Sequence, residues 1–212
     1  MVVSEILEIS AAKKKIIIDQ EFAFVLYKGE LRKYGLKAGE PIQESTYREI
    51  MEELLPKRAK LWCMNLLQTK DYTKEQLRRK LKQGLYPENV IEKALDYVQG
   101  YGYVNDFKYA SDYIFYQQEC KSRRRIDNDL QKKGISKENI AKAWMHWEAQ
   151  GNSQDEEGQI CRLLEKKHFE KGSTDRKEVQ KIYGFLLRKG FKADTVRKVL
   201  ERYGNEIDNP YD

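Results

Sequence analysis

The chain has 212 residues, with 40 Lys or Arg against 34 Asp or Glu, a formal net charge of +6. Its 35% charged residues stand beside 40% apolar ones, enough to fill a core, so disorder is not the default reading. No apolar run approaches the roughly 18 residues of a membrane span, and Cys63, Cys120 and Cys161 are too scattered for a disulfide frame or a CxxC metal site.

The opening "MVVSEILEIS" lacks the basic-then-apolar layout of a secretory leader, so a soluble, cytoplasmic protein is expected. "KIIID" and "EFAFVLY" are β-branched and aromatic runs either side of Asp19-Gln20, which predicts a hairpin over 14–27, separable from the helical body. The turn lacks the glycine that two-residue hairpin loops favour. A short helix, "KGELRKYG", ends at Gly35, and Ser45 or Thr46 opens another, "TYREIMEELL", expected to stop near Pro56.

Beyond Pro56 the pattern is helical throughout. Ala59, Trp62, Cys63, Leu66 and Leu67 form one apolar stripe. "TKEQ" is a capping box for a helix with Leu77 and Leu81 inward and Gly84 at its end. Pro87 suits the first turn of the next helix, which turns Val90, Ile91, Ala94, Leu95 and Val98 inward. A helix over 106–119 then buries Phe107, Ala110 and Ile114. Ser122 caps one with Ile126 and Leu130 inward and Gly134 at its end, and Ser136 caps one carrying Ile140, Trp144 and Trp147.

A last set starts near Gln154 with Ile160, Leu163 and Leu164. It continues from Ser173 or Thr174 through Val179, Tyr183 and Leu187 to Gly190, then Val196, Val199, Leu200 and Tyr203. Gly84, Gly134 and Gly190 are spaced 50 and 56 residues apart, the interval of stacked helical units. The expected fold is all-α: tandem three-helix repeats in an elongated array with a small N-terminal β-hairpin extension. The expected boundaries are 1–56, 57–104, 105–151 and 152–212.

Enzymatic chemistry is poorly represented. His146 and His168 stand alone, no residues hold a metal-ligand spacing, and the glycines lie at helix ends rather than in a phosphate-cradling loop. No catalytic residue, metal or other cofactor is expected. Binding is better represented. Residues 57–104 and 159–212 carry net charges of +5 and +4, against −2 for 1–56 and −1 for 105–158. The densest run, "KSRRRIDNDLQKKG", holds six basic residues and two acids.

With the apolar pairs fixed inward, Arg79, Lys80, Lys82, Arg123, Arg124, Arg125, Lys132, Lys133, Arg188, Lys189, Arg197 and Lys198 form the candidate contact set. Such a basic stripe would neutralise phosphates and release counterions, with little reading of sequence. A merely solvated face is the competing reading, since Glu75–Arg79 and Asp129–Lys133 pair internally at helical spacing. Trp62 and Trp144 lie on apolar stripes and are expected in the core rather than as base-stacking platforms.

"YTKEQLRRKLKQG", "GYVNDFKYASDYI" and "RRRIDNDLQKKGI" resemble successive blocks of the RecX family, bacterial regulators of the RecA recombinase. The similarity runs from about Lys57 to the C-terminus, and "IIIDQEFAFVLYKGELRKYGLKAGEPI" resembles the hairpin extension of longer members. The chain departs from the family pattern at Lys121-Ser122, where Gly-Pro is usual, and at Leu85, which looks like an insertion. The resemblance implies tandem three-helix repeats with no catalysis of their own, and a monomer is expected. It further implies binding to the RecA filament on single-stranded DNA, suppressing RecA ATPase and strand exchange; duplex DNA is a further candidate partner for the basic face. A free-standing helical nucleic-acid-binding protein with no recombinase partner is the alternative.

Overall fold

The computed structural model describes residues 1–170, 172 and 175–204, so the expected helix start at Ser173 or Thr174 lies outside the described residues. The chain divides into two compact units, at Asn105/Asp106.

The first unit opens with three antiparallel strands in the order β1-β2-β3: β1 (Val3–Glu8), β2 (Lys13–Ile18) and β3 (Glu21–Tyr27). The hairpin is β2–β3, with Ile16 opposite Phe24 and Lys14 opposite Leu26. Its turn is made without glycine. Asp19 and Gln20 both take positive φ, +48° and +68°, the pattern of a type I′ turn. Strand β1, absent from the sequence reading, holds that turn in place: Val2 N donates to Asp19 Oδ1 at 2.8 Å and Gln20 N to Ser4 Oγ at 2.8 Å.

Nor does the sheet stand apart from the helices, as the hairpin reading expected. Val3, Ile16, Ile18, Phe24 and Leu26 share one core with Leu55, Ala59, Cys63, Leu77, Leu81, Ile91 and Leu95.

After α1 (Lys28–Lys33) comes α2 (Glu44–Glu49), starting one residue before the expected Ser45. Pro56 does not stop it. A π turn over Ile50–Leu54, with Leu55 N donating to Ile50 O, leads directly into α3 (Leu55–Leu67). The wider turn receives the proline, which has no N–H to give and whose ring would crowd the carbonyl four residues back in a regular α-helix. Both Leu55 and Pro56 are buried. The unit is completed by α4 (Lys74–Gln83) and α5 (Glu88–Gly100). The capping box is formed: Gln76 N donates to Thr73 Oγ1 at 3.2 Å and Thr73 N to Gln76 Oε1 at 3.0 Å.

The second unit contains α6 (Asp106–Gln117), α7 (Arg123–Lys132), α8 (Lys137–Ala149), α9 (Glu156–Lys166), α10 (Arg176–Arg188) and α11 (Ala193–Arg202). It has two cores. One joins Ala110, Ile114, Ile126, Leu130, Ile140, Ala143 and Trp144; the other joins Ile160, Leu164, Val179, Ile182, Leu186, Val196 and Leu200. The inward pair of α10 is therefore Ile182 and Leu186. The expected Tyr183 and Leu187 are half-buried at its edge.

The helix ends correct the repeat register. Each middle helix closes with a Schellman pair of hydrogen bonds: Leu85 N to Lys82 O and Tyr86 N to Leu81 O, Gly134 N to Gln131 O and Ile135 N to Leu130 O, Gly190 N to Leu187 O and Phe191 N to Leu186 O. The left-handed residue is thus Leu85 (φ +57°) in the first set, against Gly134 (+87°) and Gly190 (+95°) in the others. Gly84 serves a different purpose, since a Cβ there would lie 2.4 Å from Trp62 Cζ3. Trp62, expected in the core, is half-buried and lies across this glycine.

A leucine in the left-handed region costs about 1–2 kcal/mol of local strain. Leu85→Gly relieves it while removing a side chain that is 40% exposed. The variant is expected to be more stable by about 1 kcal/mol in urea titration, and an unchanged or lower midpoint would contradict this account of the helix end.

Candidate nucleic-acid interface

On the corrected register, Arg79, Lys80 and Lys82 of α4 correspond to Asn128, Asp129 and Gln131 of α7, so these cations do not repeat. Among the middle-helix cations of the expected set, the members that match one another are the helix-end pairs, Lys132-Lys133 and Arg188-Lys189. Several of the twelve expected contacts are tied down within the protein. Arg79 pairs with Glu75 at 3.0 Å and Lys82 with Glu88 at 3.1 Å. Arg123 reaches Glu148 at 2.6 Å with its guanidinium 4.5 Å from the Trp144 ring centroid, and Lys198 meets Glu157 at 2.6 Å.

Lys133 lies 5.4 Å from the Tyr113 ring centroid, and Lys132 is exposed but not free of contacts. Arg197 is half-buried. Among the described residues, Lys80, Arg124 and Arg188 are exposed and make no ion pair.

The second unit brings three of the expected residues together. Arg125, Arg188 and Lys189 line a cleft of 460 Å³, with Lys121, Ser122, Cys120, Leu163, Phe185 and Phe191 completing its wall. Lys121 and Phe185 were not in the expected set. Lys121 immediately precedes the Ser122 helix cap, and Phe185 lies three residues before Arg188. Those spacings were the available signal.

The cleft exists because α7 begins where α10 ends. Ser122, fully buried, accepts from Arg125 N at 3.3 Å as the α7 cap and donates its hydroxyl to Lys189 O at 3.0 Å. Gly190 permits this approach, since a Cβ there would lie 2.7 Å from Ser122 Oγ and 3.3 Å from Arg125 N.

Behind the wall, Asp129 organises the cations. It meets Lys121 Nζ at 2.9 Å and Arg125 Nε at 3.3 Å and accepts from the Tyr113 hydroxyl at 3.1 Å. Burial alone would raise the Asp129 pKa, but the Lys121 hydrogen bond and charge, with Tyr113 and Arg125, hold it below the ordinary carboxylate value. Burial likewise works against the charged form of Lys121, and its hydrogen bonds to Tyr113 and Asp129 raise its pKa above the usual lysine value nonetheless. Arg125 is thus oriented through Nε, with its two terminal nitrogens left for an anion.

Residues 59–97 match a family model described as the first three-helix domain of RecX, and 155–200 match that of its third three-helix domain. The chain is 31% identical to the "Regulatory protein RecX" of Caldanaerobacter subterraneus subsp. tengcongensis over 90% of its own length and 93% of that protein's. The chain belongs to the RecX family. Its identity to the "Regulatory protein RecX" of Clostridioides difficile is 28%, covering 90% of this chain and 89% of that one.

In fold it is similar to a crystal structure of regulatory protein RecX, with a TM-score of 0.60 at 21% identity over 95% of this chain and 98% of the other. A crystal structure of RecX from Lactobacillus salivarius gives 0.58 at 21% identity, over 70% and 96%. The RecX fold of three-helix domains with a small N-terminal antiparallel sheet is the fold described above. Among the described residues, no helix is long and apolar enough to cross a membrane and no His, Cys, Asp and Glu cluster could hold a metal ion.

Proposed function

We propose that this chain is a cytoplasmic, monomeric, non-enzymatic regulator that binds the RecA filament on single-stranded DNA and suppresses RecA ATPase and strand exchange. Family membership supports the regulatory role. The observation that carries the nucleic-acid part is the gathering of Lys121, Arg125, Arg188 and Lys189 on one concave wall. Four cations on a cleft favour a polyanion and give affinity that falls with salt. The three helical units are taken as 57–104, 105–151 and 152–212, after an N-terminal section of 1–56, and no cofactor is required.

The test is a RecA ATPase titration with parent and with an Arg124→Ala/Arg125→Ala double variant. Arg124 is exposed, and the Arg125–Asp129 pair is worth at most about 1 kcal/mol at this exposure, so the variant is expected to melt close to the parent. It should inhibit RecA poorly, and each lost phosphate contact should flatten the salt slope of strand binding by about 0.7. Inhibition equal to the parent's at physiological salt would return these arginines to the solvated face. Strand binding without any inhibition by the parent would favour a free-standing nucleic-acid-binding protein.

A further inference from the structure

We propose, building on the regulator reading, that the cleft where α10 meets the start of α7 takes one unpaired nucleotide of a single strand. The phosphate sits among Arg125, Arg188 and Lys189, and the base against Phe185. A volume of 460 Å³ falls within the range of about 300–1,000 Å³ typical of small-molecule sites. Its wall sets cations beside an aromatic ring and carries no carboxylate among the described residues, Asp129 being held behind Lys121 and Arg125.

A duplex backbone would use the cations but has no base to offer a recessed ring, because its bases remain stacked inside. A single strand can turn one outward. The Phe185 ring is already attractive to cations: Lys167 Nζ lies 4.8 Å and Lys189 Nζ 5.5 Å from its centroid. Such contacts are weak at a solvated site. An incoming base can therefore take one face of the ring, leaving the Lys189 ammonium to meet the phosphate attached to it. Arg125, already fixed through Nε, presents its terminal nitrogens as a fork for the same group.

Cys120 reports on the cleft directly. It is exposed and lines the wall, whereas Cys161 is half-buried and Cys63 is buried with its thiol pushed up to about 11. In the full chain, the rate of maleimide labelling at Cys120, read by peptide mass spectrometry, is compared with and without saturating oligothymidylate of about 15 nucleotides. An abasic strand and a blunt duplex are brought to equal occupancy by anisotropy.

Labelling of Cys120 is expected to slow about tenfold with oligothymidylate and to change little with duplex. Phe185→Leu should bind oligothymidylate no better than the abasic strand, a distinction the parent keeps. Arg188→Ala with Lys189→Ala, both exposed, should flatten the salt slope and remove the protection. Unchanged labelling with the strand bound would overturn the cleft assignment and leave the regulator reading intact, and equal protection by duplex would overturn its preference for unpaired nucleotides. An absence of strand binding would remove the site altogether. Protection at Cys120 in a protein that fails to inhibit RecA would leave the cleft standing and overturn the regulator reading instead.

Discussion

Deletion of residues 1–42 is expected to abolish cooperative melting of the first unit. Seven of its core residues come from that stretch: Val3, Ile16, Ile18, Phe24, Leu26, Leu36 and Ile42. Their loss uncovers Ile50, Met51 and Leu55, each now less than a tenth exposed. Re-exposing such side chains costs about 1.5–3 kcal/mol apiece, against a total domain stability of about 5–15 kcal/mol.

The deletion also strips Arg58 of its partners. Its Nη1 reaches Glu30 at 2.8 Å, its Nη2 donates to Val25 O at 2.7 Å, and the Tyr27 ring lies 4.9 Å away. In the truncated chain Arg58 keeps only Tyr86 of these contacts. Circular dichroism should show the helical signal of residues 43–105 lost at ordinary temperature while the second unit still melts as one transition. A variant melting with full helical amplitude and an unchanged midpoint would show that the sheet is dispensable.

The difference between this expectation and a detachable hairpin lies in what local sequence can express. The helices were legible because their caps and stripes are local: Thr73 with Gln76, Ser122 with Arg125, Leu77 with Leu81. Strand β1 was not, since "VSEILE" carries few strand-favouring residues and only Val3 in it is buried. Pro56 reads as a stop by every local rule, and only the π turn before it lets the helix continue. In α10, Ile182-Tyr183 and Leu186-Leu187 offer two apolar pairs at the same spacing, and packing rather than composition selects the first.

The candidate site was half legible. Basic residues are visible in the sequence, but their neutralising partners are not when they come from other helices, as Glu148 does for Arg123 and Glu157 for Lys198. The cleft itself depends on Ser122 meeting the carbonyl of Lys189, a contact across 67 residues.

Trp144→Ala is expected to cost about 3–5 kcal/mol, a large share of what holds the second helical set together. The indole is 1% exposed, packs edge-on to Trp147 with centroids 5.6 Å apart, and donates Nε1–H to Asp127 Oδ1 at 2.7 Å. Truncation opens a cavity beside Ile140 and Ala143, leaves Asp127 without that donor, and removes the ring that Arg123 covers. Trp144→Phe separates the contributions: it keeps most of the volume and loses the N–H, for about 1–3 kcal/mol, the cost of leaving Asp127 short of a donor.

Urea titrations of both variants, read beside strand binding at temperatures where each remains folded, decide the role of this residue. A base cannot stack on a ring with so little exposure, so folded Trp144→Phe should bind single strands as the parent does. Full stability with lost binding would instead make Trp144 a stacking platform and put the contact surface on α8 rather than at the cleft.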